Sequence, residues 1–246
     1  MLPRMSSMKF DMTLFWRGSL DIFPLIIAAI PFGLVYGAMA QSLGLSEWQV
    51  MGMSLFVFAG SSQFIAVTLL ATAAAFPIIC LTVFIVNLRH MLYAASLMHA
   101  VEKVPSILRV PMAFWLTDES FAISANRLRE KGESGMPFYA YYTGASATMY
   151  VNWQICTWIG ITASKQVPDM TQWGLEVAIV VAFIGMVVPS LERASHWACA
   201  ATAIVCMLLT HDWPHQSGLL FTSLVAITVG VIVMQRQSSV VKEAAE

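Results

Sequence analysis

Asn87-Leu88-Arg89-His90 interrupts an otherwise apolar run from about Phe76 to Met98, close to its middle. About 20 such residues span the hydrocarbon of a bilayer as an α-helix. A charge at the helix centre costs roughly 2.5 to 3.5 kcal/mol, against a gain of about 0.3 to 0.6 for each Leu, Ile, Phe or Val. Such a charge is retained where the protein itself solvates it. At ~100° per residue, Arg89, Tyr93 and Ser96 fall in one stripe flanked by Asn87 and His90. Phe84, Leu88, Met91, Leu92 and Ala95 fill the opposite arc. The run predicts a membrane helix with one lipid face and one polar face turned inward. Arg89 is then either part of a working site or an assembly pin paired with a carboxylate.

Composition agrees. Of 246 residues, 58% are hydrophobic and only 11% charged, with a mean hydropathy of +0.72, whereas soluble domains carry about 25% charged residues. An all-α, polytopic integral membrane protein is expected, as a single transmembrane domain over residues 1–246. A net charge of −1 gives no case for nucleic acid. Cys80, Cys156, Cys199 and Cys206 all sit in apolar runs without metal-ligand spacing and read as small hydrophobes. His211, Asp212 and His215 read as a wet loop because Pro214 intervenes. Neither a metal nor a cofactor is expected.

About eight spans emerge, near 20–40, 48–74, 76–98, 108–126, 137–163, 172–190, 194–210 and 217–234, with a mobile tail after Gln235. The first run is too long and too proline-broken for a cleaved signal peptide. With the N-terminus inside, nine Lys and Arg (Arg4, Lys9, Arg17, Arg127, Arg129, Lys131, Arg193, Arg236 and Lys242) share its side, against Lys103, Arg109 and Lys165 opposite. That bias predicts cytoplasmic N- and C-termini.

Three further spans carry punctuation. In the first, Pro31 removes a backbone donor, and Gly33 and Gly37 form a GxxxG pattern suited to close helix packing. In the second, Phe58-Ala59-Gly60-Ser61-Ser62-Gln63-Phe64 suits an unwound segment facing a cavity, or a continuous helix packed through small residues. In the fourth, Thr117-Asp118-Glu119-Ser120 puts two carboxylates near the midpoint, where they need a cationic neighbour such as Arg89 or His90. Asp118 and Glu119 diverge by ~100°, so one pairs with Arg89 while the other is left to titrate. Tyr142-Thr143-Gly144-Ala145-Ser146 echoes the motif at Phe58, 84 residues later. Read as a repeat, copies at 20–98 and 108–190 form a 3+3 inverted repeat with interrupted helices, Gly144 marks a second helix break or a packing point, and 194–234 holds extra helices.

The candidate substrate-binding set is therefore Gly60, Ser61, Ser62, Gln63, Asn87, Arg89, His90, Tyr93, Asp118 and Glu119. A zwitterionic amino acid suits it: its carboxylate matches Arg89 or the N–H groups of Gly60 to Ser62, its ammonium Asp118 or Glu119. A secondary transporter uses these features together. An intramembrane enzyme or a membrane scaffold built on the same cluster is the alternative.

Ile30-Pro31-Phe32-Gly33-Leu34-Val35-Tyr36-Gly37, Phe58 to Phe64, Asn87 to Ser96, and Thr117-Asp118-Glu119-Ser120-Phe121 together resemble the large subunit of the azaleucine-resistance (AzlC) family. The resemblance rests on roughly the first half of the chain. It implies export of branched-chain and similar apolar amino acids across the bacterial inner membrane, with a small multi-spanning partner subunit.

Overall fold

A computed structural model describes residues 10–166, 193–213 and 217–243, with isolated positions from 184 to 191. The expected sixth span, 172–190, lies outside the described residues. Ten helices and no strand are found among the described residues, so the fold is all-α. The chain divides into two compact units, residues 1–179 and 180–246.

In the first unit, the Asp11 carboxylate accepts from the N–H groups of Thr13 and Leu14 and starts α1, Met12–Asp21. After Ile22, Pro24 opens α2, Phe23–Ser42, which carries Pro31 in its interior. A Ser46/Gln49 capping box starts α3, Glu47–Phe56. The chain then leaves helical geometry over Val57 to Ala59 and resumes as α4, Gly60–Ala71. Unbroken α5, Phe76–Val101, follows. The next apolar stretch is again two pieces, α6 (Ser106–Phe114) and α7 (Asp118–Lys131). Gly132, at φ +63, ends α7 in the left-handed conformation that glycine adopts without strain. Last comes α8, Met136–Gln166, 31 residues long.

By length and composition α2 and α5 could each cross a bilayer, and α4 is a shorter apolar helix. The lipid face predicted for α5 is exposed at Phe84, Met91 and Leu92.

Helix α8 is the post against which the unit is built. Ser19 of α1 donates to the carbonyl of Gly144 at 3.1 Å, Tyr36 of α2 stacks on Trp153 with centroids 6.3 Å apart, and Gly37 meets the backbone of Thr157. These contacts climb both chains together, so α1 and α2 run parallel to α8. Packing is backbone to backbone: a Cβ on Gly37 would strike the Thr157 carbonyl, and one on Gly160 that of Leu34. The GxxxG pattern thus serves packing as expected, with Gly33 against Cys156. Of the break or packing role expected of Gly144, the structure shows the packing one. It lies in unbroken helix, and its Cα abuts the Phe15 carbonyl of α1.

In the second unit, α9 (Ala194–Thr210) and α10 (Ser217–Glu243) are antiparallel: Thr210 meets Thr222 at 3.3 Å, and Cys199 packs on Gly230. Helix continues to Glu243, where a mobile tail was expected after Gln235.

Candidate functional site

Two half-helices begin in mid-span, and Arg89 of α5 bridges their first turns. Its Nη1 donates to Asp118 Oδ2 at 2.7 Å and its Nη2 donates to Ser61 Oγ at 2.6 Å. Ser61 is the second residue of α4 and Asp118 the first of α7. An N-terminal turn presents unpaired N–H groups and a partial positive charge. At α7, Asp118 and Glu119 offset that charge, and Thr117 with Ser120 supplies a capping box, Thr117 N–H donating to Ser120 Oγ at 2.8 Å. At α4 no side chain caps the turn.

The surroundings are polar on one side and aromatic on the other. Ser62 Oγ donates to Asn87 Oδ1 at 2.7 Å, tying α4 to α5. His90 Nδ1 lies 3.2 Å from its own helix's Asn87 carbonyl, and its ring meets Tyr93 edge-on at 5.9 Å. Tyr93 stacks on Phe121 of α7 at 4.3 Å. Arg89 Nε and Asp118 Oδ1 are buried without a hydrogen-bond partner. Glu119 has Thr117, Asp118 and Arg89 as polar neighbours.

Of the ten candidates, Ser61, Ser62, Asn87, Arg89, His90, Tyr93, Asp118 and Glu119 are brought together. Gly60 and Gln63 are not. Gly60 lies under the Trp153 ring, and fully buried Gln63 accepts from Trp153 Nε1 at 3.0 Å while its amide reaches Ser54 at 3.4 Å. Gly60 and Gln63, three apart, share the face of α4 turned to Trp153, while Ser61 and Ser62 point ~100° and ~200° round the helix toward α5. The unwound segment is also shorter than expected, because Gly60 to Phe64 already form the first turn of α4.

Sequence reasoning missed the break between α6 and α7, expecting one continuous span with its carboxylates midway. A Thr N-cap followed by two acids is a helix-start signal and was there to be read. It also missed what holds the breaks open. Tyr142 of α8 donates to the Met112 carbonyl at the end of α6 at 2.6 Å. Tyr150 donates to the Leu55 carbonyl at the end of α3 at 3.0 Å, and Gln154 to that of Ser54 at 3.0 Å. Carbonyls orphaned by each break are thereby satisfied inside the protein, as hydrocarbon surroundings require.

A second polar region lies at the far end of α7. A recess of about 750 Å3 opens between α1, the start of α2 and α7, lined by Arg17, Asp21, Asn126, Arg127, Glu130 and Tyr141 among others. Arg127 is held by Glu133 at 2.7 Å and lies over the Tyr141 ring at 5.0 Å. The Glu133 carboxylate beside it raises the guanidinium pKa above its ordinary value.

The family model described as AzlC protein matches residues 24–167, both broken helices and the whole Arg89 cluster included. The chain belongs to the AzlC family. AzlC relatives include an uncharacterized membrane protein of Archaeoglobus fulgidus, 31% identical over 73% of this chain and 77% of the relative. Inner membrane protein YgaZ of Escherichia coli is 28% identical over 89% of this chain and 86% of its own. An uncharacterized membrane protein of Helicobacter pylori is 26% identical over 79% and 87%. No solved structure matches. With its apolar helices and these relatives, the chain is a membrane protein.

Proposed function

We propose that this AzlC protein is a secondary transporter that exports branched-chain or similar apolar amino acids across the bacterial inner membrane. Alternating access around the Arg89–Asp118 pair would carry the cargo in exchange for protons, without a cofactor and without enzymatic chemistry. One observation carries the reading. The ion pair engages only part of each partner, leaving Arg89 Nε and Asp118 Oδ1 buried and unpaired between two half-helix starts. A zwitterion offers the complement of both: a carboxylate for the guanidinium and the α4 N–H groups, an ammonium for the carboxylate. Discontinuous helices whose ends meet at mid-membrane are the usual setting for such sites.

Several observations support the multi-pass arrangement with cytoplasmic termini. The recess gathers Arg17, Arg127, Arg129 and Lys131, cations that the charge bias assigns to the cytoplasmic side. Parallel α2 and α8 fit strict alternation over five crossings. The name of the Escherichia coli relative favours an inner membrane. A small multi-spanning partner subunit completes the assembly in this reading.

The test is efflux from vesicles loaded with leucine that contain the chain and its small partner. Efflux is expected to follow imposed pH and voltage and to collapse in Arg89→Met with insertion preserved. Efflux indifferent to both gradients sinks the coupling, and an active Arg89→Met reduces the residue to an assembly pin.

A further inference from the structure

The recess and the Arg89–Asp118 pair lie on different faces of α7, and Glu119 stands between them. At ~100° per residue, Glu119 shares a face with Ala122, Ile123, Asn126 and Glu130. All four of the latter line the recess. Glu119 is one turn beyond its inner end, about 5 Å along the helix axis. Asp118 is turned a quarter-circle away, toward Arg89 on α5. We infer that Glu119 is the carboxylate that exchanges the coupling proton, and that it does so through the recess between α1, α2 and α7, while Asp118 stays committed to Arg89. This rests on the transport reading above.

Arg89, His90 and Tyr93 face this end of α7 from α5, and Tyr141 and Tyr142 from α8, with Arg17 and Asp21 from α1 across the recess. Of these, Asp118 and Arg89 neutralise one another, as do Arg17 and Asp21 at 3.2 Å. Both tyrosines of α8 are engaged as donors, Tyr141 to Asp21 at 3.0 Å and Tyr142 to Met112. On the recess face neither Glu119 nor Glu130 has an ion pair among the described residues; Glu130 lies at the mouth and is bonded to Asn126, so Glu119 is the one at the inner end. In the exchange its O–H bond breaks, the proton passes to water in the recess, and the carboxylate remains. With cytoplasmic termini the proton is delivered to the cytoplasm.

Infrared difference spectra of the full chain in lipid, taken between acid and neutral pH, test this without reference to cargo. A high-frequency protonated-carboxyl band is expected in the unaltered protein and in Asp118→Asn, and lost in Glu119→Gln. Alkylating Ala122→Cys with a bulky thiol reagent added from the N-terminal side should slow its appearance. A band that survives Glu119→Gln, or one that ignores a fully alkylated Ala122→Cys, overturns the proposal. Should Asp118→Asn fail to insert, Glu119→Gln alone decides. If vesicles move no leucine but the band behaves as expected, the transport reading fails and the proton site stands.

Discussion

Arg89 has more donors than its two partners use, and Asp118 has an oxygen to spare. Removing either member leaves the other as an uncompensated charge, a loss of about 3 to 5 kcal/mol for a fully buried pair and less here, where the two side chains are 29% and 26% exposed. Arg89→Met should therefore lower the unfolding temperature as well as stop transport, whereas Arg89→Met/Asp118→Leu should recover stability and still not transport. Thermal melts in detergent beside vesicle efflux separate these outcomes, and a double variant as unstable as the single one would refute the pairing account. Arg89 and Asp118 were legible in the sequence because a charge inside an apolar run demands a partner, and few were on offer. The role of Gln63 was not. Its neighbours Trp153 and Ser54 lie 90 residues ahead and nine behind, and no short-range pattern announces a contact of that span.

Each broken helix depends on a hydroxyl supplied by α8. Tyr142→Phe leaves the buried Met112 carbonyl unsatisfied, at a cost of about 1 to 3 kcal/mol, and Tyr150→Phe frees that of Leu55 at a more exposed position, where the loss is smaller. Both variants are expected to melt earlier, with Tyr142→Phe the more affected since Tyr142 is fully buried. Equal stability in all three proteins would show that other groups cap the breaks. Close packing gives a sharper expectation. Gly160→Leu would drive a side chain into the Leu34 carbonyl, so the α2–α8 contact should be lost and the yield of folded protein should fall, as size-exclusion profiles would report. Composition and periodicity revealed the unbroken helices α2 and α5. They concealed the gap after α6, because apolar residues on both sides of a break read as one span, and only the Thr117 cap betrays it.

At the scale of the molecule, Arg17 of α1 and Arg129 in the last turn of α7 line one recess, which the proposed topology puts on one side of the membrane. Single cysteines at Arg17 and Lys131 should react with an impermeant thiol reagent from the same side of the membrane, and one at Lys103 from the other. Labelling of all three from one side would refute the crossing count. The arrangement of the two breaks carries a mechanical consequence. Tyr142 and Tyr150 lie about 12 Å apart along one helix, each gripping the end of a different severed helix. A tilt of that rod pulls on one gap as it slackens the other. The two gaps are thus linked through one rod, and on the proposed transport reading a cargo seated against α4 would be felt at α7 without any signal crossing the bilayer's acyl chains.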